Sequence, residues 1–277
     1  MPELPEAEMC RRQLASWAEG RTLTGVRVID EAVVRHKVST RPSDKLEGGG
    51  GVLEGWVGCT AGAPIRHGKR LGWSFDDNGL LIHLGMTGRW VRRPASDPHP
   101  KSTRIGLVFG DEVLWMIDTR RFACVVPIPL GELDQAVRRG HGPDALLEPM
   151  GGSQLAAAFQ TKRPIKVVLM EQKRIAGLGN IHAAEACFRA RIWPKRPANA
   201  LSSGDWDRLA QGIVTQLQTS VDDIDVGKES VYVSEGGENP FSVYRRAGRP
   251  CPDCGVVVVA EELAGRTTYW CPGCQPS

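Results

Sequence analysis

The stretch CPDCGVVVVAEELAGRTTYWCPGC, residues 251–274, carries the most specific pattern in the chain. It contains two C-x2-C pairs, Cys251 with Cys254 and Cys271 with Cys274, with sixteen residues between the pairs. Each pair predicts a tight turn that directs two thiolates at one point, and four thiolates make a closed structural zinc site. A unit this short has no core of its own, so we expect it to fold only with the metal. A redox dithiol and chance spacing are the alternatives.

The residues between the two cysteine pairs predict a two-stranded ribbon, with strands over 256–259 and 267–270. A zinc ribbon can bind DNA, RNA or protein, so it assigns no function by itself. The remaining cysteines have no partner at ligand spacing, and we expect them to be small buried hydrophobic residues. They are Cys10, Cys59, Cys124 and Cys187.

The bulk composition sets wide bounds. The chain has 277 residues, enough for two domains of ordinary size, and a formal net charge of only +3. That balance does not indicate nucleic acid, but the basic residues are clustered, and such clusters form either a phosphate-binding stripe or ordinary solvated surface. No apolar run is long enough to span a bilayer, and the acidic, proline-rich start is unlike a secretory signal. We therefore predict a cytoplasmic protein with no membrane partner.

Upstream of the ribbon, the hydrophobic pattern changes along the chain. Residues 3–19 have apolar positions at helical spacing. From about 21 to 128, short apolar runs alternate with turn signals, which predicts a β-sandwich or barrel. The sequences at 76–79 and 110–111 predict hairpin turns, and the glycines of 47–51 predict a flexible loop. The predicted strands are 24–28, 52–59, 70–75, 80–84, 105–109, 113–117 and 123–126.

Residues 131–221 have a helical pattern, and the polar, glycine-containing residues 222–242 predict a loop. The chain is therefore expected to have three parts, over 1–130, 131–242 and 243–277. The predicted helices of the second part are 132–139, 153–161, 165–172, 180–190 and 203–220.

The other end of the chain carries a candidate nucleophile. Removal of Met1 would leave Pro2 with a free secondary amine, which can attack an aldehyde carbon to give an iminium ion. An α-amino group has a pKa of about 8, so a useful neutral fraction exists near pH 7. Glu3 is adjacent and Glu6 lies one helical turn further, so either could transfer protons. Alternatively, Pro2 and Pro5 merely begin a helix whose dipole the glutamates favour.

Five sequence blocks, spread over nearly the whole chain, form one recognisable pattern. They are Met-Pro-Glu-Leu-Pro-Glu-Ala-Glu at 1–8, His-Leu-Gly-Met-Thr-Gly at 83–88, Asp-Thr-Arg-Arg-Phe at 118–122, Gly-Leu-Gly-Asn-Ile-His-Ala-Ala-Glu at 177–185, and Arg-Thr-Thr-Tyr-Trp-Cys at 266–271. Together with the four paired cysteines, they resemble the bacterial formamidopyrimidine-DNA glycosylase family, which also includes the endonuclease VIII type. Leu4 favours the formamidopyrimidine branch.

The resemblance implies an α+β fold: an N-terminal helix, a two-sheet β-sandwich, a helix–two-turn–helix domain and the zinc ribbon. It implies a bifunctional DNA glycosylase and abasic-site lyase of base excision repair, with one structural zinc ion and no organic cofactor. Pro2 matches the Schiff-base nucleophile, and Glu3 matches the proton donor that helps to open the deoxyribose. Lys69 matches a lysine near the target phosphate and base. Arg266 matches a ribbon arginine that holds phosphates and assists the second elimination.

The same resemblance implies a set of DNA-binding residues. Met86, Arg120 and Phe122 match side chains that fill the space left by an everted base, and they offset the few kcal/mol that lost stacking costs. Asn180 matches a phosphate ligand at a helix start. The implied partner is double-stranded DNA with a damaged base or an abasic site, bound by a monomer in the bacterial nucleoid. Further predicted DNA contacts are Glu6, Lys101, Lys162 and Lys166.

Several positions depart from the family pattern. Thr119 replaces a common proline, His182 replaces a tyrosine and Arg245 replaces a glycine. The loop 222–242, in the region where relatives recognise oxidised purine, does not align. We therefore expect oxidised purines as the first substrate class and oxidised pyrimidines as the second, with bulky adducts open. A non-catalytic binder of abasic DNA and a zinc-ribbon RNA or transcription factor are the other hypotheses.

Overall fold

The computed structural model describes residues 2–228, 236–237 and 239–277. The predicted recognition loop over 222–242 therefore lies partly outside the described residues. Within those ranges, none of the helices combines the length and the apolar character that crossing a membrane requires.

The chain forms two compact units. Unit 1 comprises Met1–Arg139 and Ile224–Gly236, and unit 2 comprises Gly140–Asp223 and Gly237–Ser277. The three-part division predicted from the sequence stays a prediction. The fold class predicted from the sequence is confirmed, with an N-terminal helix, two four-stranded sheets, a helical unit and a four-cysteine finger.

Helix α1 spans Leu4–Ala18 and begins the framework of unit 1. Leu4, Ala7 and Leu14 are fully buried at helical spacing, so one face of α1 enters the core. The helix ends before Gly20, which adopts a φ of +77°, a backbone conformation that glycine accepts without a steric cost. The helix predicted over 3–19 is thereby confirmed.

Two antiparallel sheets complete the framework of unit 1. The first contains β1 (Gly25–Val28), β5 (Arg89–Pro94), β6 (Thr103–Phe109) and β7 (Glu112–Ile117), in the order β1-β6-β7-β5. The second contains β2 (Ile65–His67), β3 (Arg70–Phe75), β4 (Asn78–His83) and β8 (Cys124–Pro129), in the order β2-β3-β4-β8.

One hydrophobic core collects residues from α1 and from both sheets. Trp73 of β3 and Trp90 of β5 meet there in a T-shaped contact with ring centroids 6.4 Å apart. Helix α3 (Leu130–Arg138) covers a second cluster on β4 and β8, which includes Leu81 and Val126.

The four cysteines outside the paired motifs are mostly buried, as predicted. Cys10, Cys124 and Cys187 are buried and Cys59 is half-buried. Burial raises the pKa of the Cys187 thiol to about 12.

The two hairpin turns predicted from the sequence are confirmed. Asp76, at a φ of 47°, begins the connection from β3 to β4, and Gly110, at a φ of 65°, lies between β6 and β7. Two strands were not predicted, β2 and β5, and β5 carries four charged or aromatic side chains in the sequence Arg-Trp-Val-Arg-Arg-Pro.

The strand predicted over 52–59 and the flexible loop predicted over 47–51 are both wrong. Helix α2 spans Gly49–Glu54 and turns follow it. Gly49 and Gly50 are buried, and a Cβ on Gly49 would lie 2.6 Å from Cγ1 of Val34. The glycines therefore permit close packing of helical backbone. The sequence prediction considered only the flexibility of glycine and so missed this packing.

Unit 2 is mainly helical, and its ribbon packs on one of the helices. Phe188 of α6 joins Val243, Val258 and three of the ribbon cysteines in one buried cluster. The predicted helix over 165–172 is too long, since α5 ends at Val168. The helices are α4 (Gly152–Ala158), α5 (Ile165–Val168), α6 (Asn180–Arg189) and α7 (Ser203–Asp222), and the ribbon strands are β9 (Val259–Leu263) and β10 (Arg266–Trp270).

Gly106 of β6 offers a direct test of the sheet packing. A Cβ on this residue would lie 2.3 Å from the ring of Trp115, which is itself buried in the packed sheet. We predict that Gly106→Ala lowers the free energy of unfolding by about 2 kcal/mol or more, measured by urea denaturation. Gly131→Ala in α3 is the control, because nothing lies within 4 Å of its added Cβ, and it should change stability by less than about 1 kcal/mol. Equal stability of the two variants would contradict this packing.

Candidate active site and metal centre

The predicted nucleophile and proton donor lie at the start of α1. Pro2 and Glu3 are both buried, Glu3 with only 1% of its surface exposed. The backbone N–H of Glu3 donates to Oε2 of Glu6 at 2.8 Å, which ties the residue before the helix to its first turn. Glu6 therefore has a local structural function at the helix start, beside the DNA-binding role predicted for it. As encoded, the Pro2 nitrogen is an amide, so it becomes an amine only after Met1 is removed.

A buried ion pair connects α1 to the hairpin that carries Lys69. Nε of Arg66, on β2, lies 3.1 Å from Oε2 of Glu8, and the side chain of Arg66 is 1% exposed. Nη1 of the same arginine donates to the carbonyl of Gly68 at 2.9 Å. Gly68 has a φ of +57° and forms the turn with Lys69, which is half-buried. Glu8 and Arg66 thus hold the lysine turn against the helix that begins at Pro2-Glu3.

Three arginines control the charge of Glu8. Burial alone would raise the pKa of the Glu8 carboxyl, but Arg11, Arg12 and Arg66 donate hydrogen bonds or lie close enough to outweigh that effect. The pKa of Glu8 is held at about 2, so the carboxylate is ionised at every pH at which the protein would work. Neither Glu8 nor Arg66 was assigned a role from the sequence, although Glu8 lies within the quoted N-terminal block.

The predicted space-filling residues Arg120 and Phe122 share one well-supported loop. Cζ of Arg120 lies 5.2 Å from the ring centroid of Phe122. Asp118, 1% exposed, accepts the backbone N–H of Arg120 at 3.1 Å and that of Ala123 at 2.7 Å. Arg120 itself is exposed, whereas its neighbour Arg121 is bound to another carboxylate. Both arginines of the loop are therefore exposed, and Arg121 is in addition paired with Asp30.

Met86, the third predicted space-filling residue, lies on a neighbouring loop. That loop packs against the backbone of the Phe122 loop, since a Cβ on Gly85 would lie 2.5 Å from the backbone nitrogen of Ala123. Gly85 also has a φ of +61°. Met86, Arg120 and Phe122 therefore come from two loops in mutual contact.

Asn180 and Lys166 come together in unit 2, where their side chains are hydrogen-bonded to each other. The side chain of Lys166 is fully buried, and its Nζ donates to Oδ1 of Asn180 and, at 3.0 Å, to Oγ1 of Thr268. Nδ2 of Asn180 donates to the carbonyl of Thr267 at 3.0 Å. The phosphate role predicted for Lys166 stays a prediction, and its burial favours an indirect one in which it orients Asn180 beside strand β10.

The other predicted cations are exposed. Arg266 begins β10, Lys162 precedes α5, and Lys101 lies in the connection between β5 and β6. Their exposure is compatible with phosphate binding and equally with a solvated surface.

Glu185 is a functional candidate that the sequence did not single out, although it closes one of the quoted blocks. Its carboxylate is buried and accepts the backbone N–H groups of Ser242, Val243 and Tyr244 at 2.8–3.0 Å. It therefore anchors the C-terminal end of the predicted recognition loop and the two residues that follow it. His182, which departs from the family pattern, is buried and makes a T-shaped ring contact with Phe241 near the C-terminal end of the same loop.

The four paired cysteines form the predicted metal centre. Their sulfur atoms all lie within 4.8 Å of one another, with Cys251 and Cys274 separated by 3.8 Å and Cys254 and Cys271 by 3.4 Å. Tetrahedral zinc with Zn–S bonds of about 2.3 Å requires sulfurs about 3.8 Å apart, so the donor set and its spacing fit Zn²⁺. The first ribbon strand, predicted over 256–259, is instead Val259–Leu263.

The comparisons with known proteins agree with this arrangement. Family models match the formamidopyrimidine-DNA glycosylase N-terminal domain over residues 1–125, the formamidopyrimidine-DNA glycosylase H2TH domain over 141–232, and the zinc finger found in FPG and IleRS over 248–276. The fold and the site therefore define a DNA repair glycosylase with a zinc finger.

Relatives and solved structures identify the family. A formamidopyrimidine-DNA glycosylase of Cytobacillus firmus is 35% identical, over 99% of this chain and 100% of the relative. A structure of MutM with carbocyclic 8-oxo-G containing DNA matches at a TM-score of 0.85 and 28% identity, covering 100% of both chains. Wild-type Lactococcus lactis Fpg (MutM) with an oxidised-pyrimidine containing DNA matches with the same values. This chain belongs to the formamidopyrimidine-DNA glycosylase family.

The Glu8 ion pairs predict a pH-dependent stability. Because the folded-state pKa of Glu8 is about 2 and its usual value is 4.5, its contribution is complete above pH 4.5 and is lost as the pH falls toward 2. We predict that Glu8→Gln lowers the free energy of unfolding by up to about 3 kcal/mol at pH 7, and that its difference from wild type shrinks below pH 4.5. Glu132→Gln, at an exposed position in α3, is the matched control. A Glu8→Gln deficit that is independent of pH would contradict the assignment.

The thiolate cluster predicts a metal-dependent finger. We expect one zinc ion per wild-type chain, measured by elemental analysis, and loss of that zinc together with a lower melting temperature in Cys254→Ser. Cys59→Ser removes a cysteine outside the cluster and should retain the metal. Full zinc occupancy in Cys254→Ser would show that the Cys254 thiolate is not a ligand.

Proposed function

We propose that this protein is a bifunctional DNA glycosylase and abasic-site lyase that uses the amine of Pro2, freed by removal of Met1, as its nucleophile. The observation that carries the proposal is the arrangement at the start of α1. Pro2 directly precedes Glu3, which is buried and hydrogen-bonded to the first turn of the helix. The Glu8–Arg66 ion pair holds the turn that carries Lys69 to the same helix. Family membership supports the same chemistry.

Each proposed step uses a group of this chain. The Pro2 nitrogen forms a bond to the sugar C1′ while the bond from C1′ to the damaged base breaks, and the proton that this nitrogen gives up leaves with the base. Glu3 donates a proton to the ring oxygen as the sugar opens, which leaves an iminium ion at C1′. The iminium acidifies the hydrogens on C2′, and loss of one of them expels the 3′ phosphate. Lys69 and Arg266 are proposed to hold the flanking phosphates. Arg266 would also assist a second elimination, in which loss of the hydrogen on C4′ expels the 5′ phosphate.

The proposed substrate is double-stranded DNA from which one nucleotide has been everted. Met86 and Phe122 would occupy the vacated space, and the exposed Arg120 would face the orphan base. Asn180 and the exposed Lys101 and Lys162 would bind phosphates outside the lesion. We propose that a monomer acts on chromosomal DNA in the bacterial cytoplasm.

Oxidised purines are the proposed first substrate class, and oxidised pyrimidines the second. Related structures hold either an 8-oxoguanine analogue or an oxidised pyrimidine, so the family accommodates both. A panel of duplexes with one defined lesion each, scored for base release, would rank the two classes.

A second candidate function is non-catalytic binding of abasic DNA. One observation favours it: Pro2 is buried, whereas a nucleophile must reach the sugar carbon. A protein that keeps Met1 would bind the damaged site through its DNA contacts without cutting the strand.

Borohydride trapping separates the two functions. We predict that wild-type protein forms a covalent adduct with an abasic-site duplex in the presence of borohydride and nicks the same duplex in its absence. One residue added before Pro2 that is not removed should abolish both reactions, because the nitrogen is then an amide. The same residue added after Ser277 is the control and should change neither. A wild-type protein that binds the duplex tightly but gives neither adduct nor nick would establish the binder instead.

A further inference from the structure

A cluster of hydroxyl groups joins the two loops that carry the space-filling residues. Oγ1 of Thr119 donates to Oγ1 of Thr87 at 3.1 Å, and Oγ1 of Thr87 donates to Oδ1 of Asp118. The backbone N–H of Arg120 points at the same two acceptors, 3.3 Å from Thr87 Oγ1 and 3.1 Å from Asp118 Oδ1. Thr87 follows Met86 directly, and Thr119 precedes Arg120 directly.

The hydroxyl of Thr87 uses its full hydrogen-bonding capacity. It has one proton, which it gives to Asp118, and two lone pairs, which accept from Thr119 and from the backbone of Arg120. Thr87 and Asp118 are buried, with 8% and 1% of their surfaces exposed, so water competes weakly for these bonds. The donor and acceptor of each bond are therefore fixed: the exposed Thr119 donates to Thr87, and Thr87 donates to Asp118.

Asp118 is itself held from several sides. Its second carboxylate oxygen accepts the backbone N–H of Ala123 at 2.7 Å, and its carbonyl accepts Nε of Arg104 at 2.9 Å. Both ends of the segment 118–123 are thus fixed to one buried carboxylate. Thr119 then adds a second side-chain link between this segment and the Met86 loop, beside the bond from Thr87 to Asp118.

We infer that Thr119 and Thr87 are positioning residues that set the relative placement of Met86 and Arg120 before DNA binds. The inference deepens the proposed function, because it rests on the role of those two side chains in filling the space beside an everted nucleotide. A preformed arrangement favours binding, since fewer side chains lose freedom when the complex forms. The cluster therefore contributes to discrimination between damaged and intact duplex, whereas contacts to phosphate bind both alike.

Binding to an uncleavable substrate tests the inference without requiring turnover. Dissociation constants are measured by fluorescence anisotropy for two duplexes of one sequence, one intact and one with a tetrahydrofuran abasic analogue. We expect Thr119→Val to reduce the preference for the abasic duplex about five-fold, the value of one hydrogen bond, by weakening that complex alone. Thr119→Ser keeps the hydroxyl and should restore the preference to within about two-fold of wild type.

Thr24→Val is the matched control for a lost threonine hydroxyl. Thr24 supports the turn between β6 and β7 in the same unit, where its Oγ1 accepts the backbone N–H of Gly110 at 2.9 Å. The Thr24→Val variant should leave the preference for the abasic duplex unchanged. Melting temperatures of all variants verify that they fold. An unchanged preference in Thr119→Val, or a loss in Thr119→Ser equal to that in Thr119→Val, would overturn the inference. Failure of wild-type protein to form a borohydride adduct would instead overturn the proposed lyase, and the binding comparison would still decide the role of Thr119.

Discussion

The buried ion pair between Glu8 and Arg66 is the interaction on which the candidate active site depends. It joins the helix that begins at Pro2-Glu3 to the turn that carries Lys69, and the turn is held through the carbonyl of Gly68. Removing one partner would leave an uncompensated charge in a buried position, which costs more than the intact pair contributes. The low pKa of Glu8 means that this connection persists over the whole range of working pH.

The loops that carry Met86 and Arg120, and the zinc ribbon, are built in the same way. In each, a few buried polar groups hold exposed side chains in position. Asp118 holds the loop that presents Arg120, and Lys166 holds Asn180 beside β10. Four thiolates organise the finger from which Arg266 projects. The groups proposed to meet DNA are thus mostly solvent-accessible side chains on rigid supports, an arrangement that limits the entropy lost on binding.

Local patterns predicted well where the residues themselves dictate the structure. The cysteine spacing gave the metal site, the turn residues at 76–79 and 110–111 gave two hairpins, and apolar spacing gave α1. Predictions failed where tertiary packing decides: the glycines before Val52 begin a helix whose backbone packs closely against neighbouring side chains. The buried connections from Glu8 to Arg66 and from Lys166 to Asn180 were missed because each joins two different elements of the fold, and no local pattern pairs them. The roles implied by the family resemblance did not include these connections either.

The central claim is that the N-terminal imino group of the mature chain performs the chemistry. Tandem mass spectrometry of the borohydride-reduced adduct with abasic DNA identifies the atom that carries the sugar remnant. The claim predicts a peptide that lacks Met1 and bears the remnant on the nitrogen of Pro2. A remnant on a lysine side chain such as that of Lys69, or an adduct whose N-terminal peptide retains Met1, would contradict it.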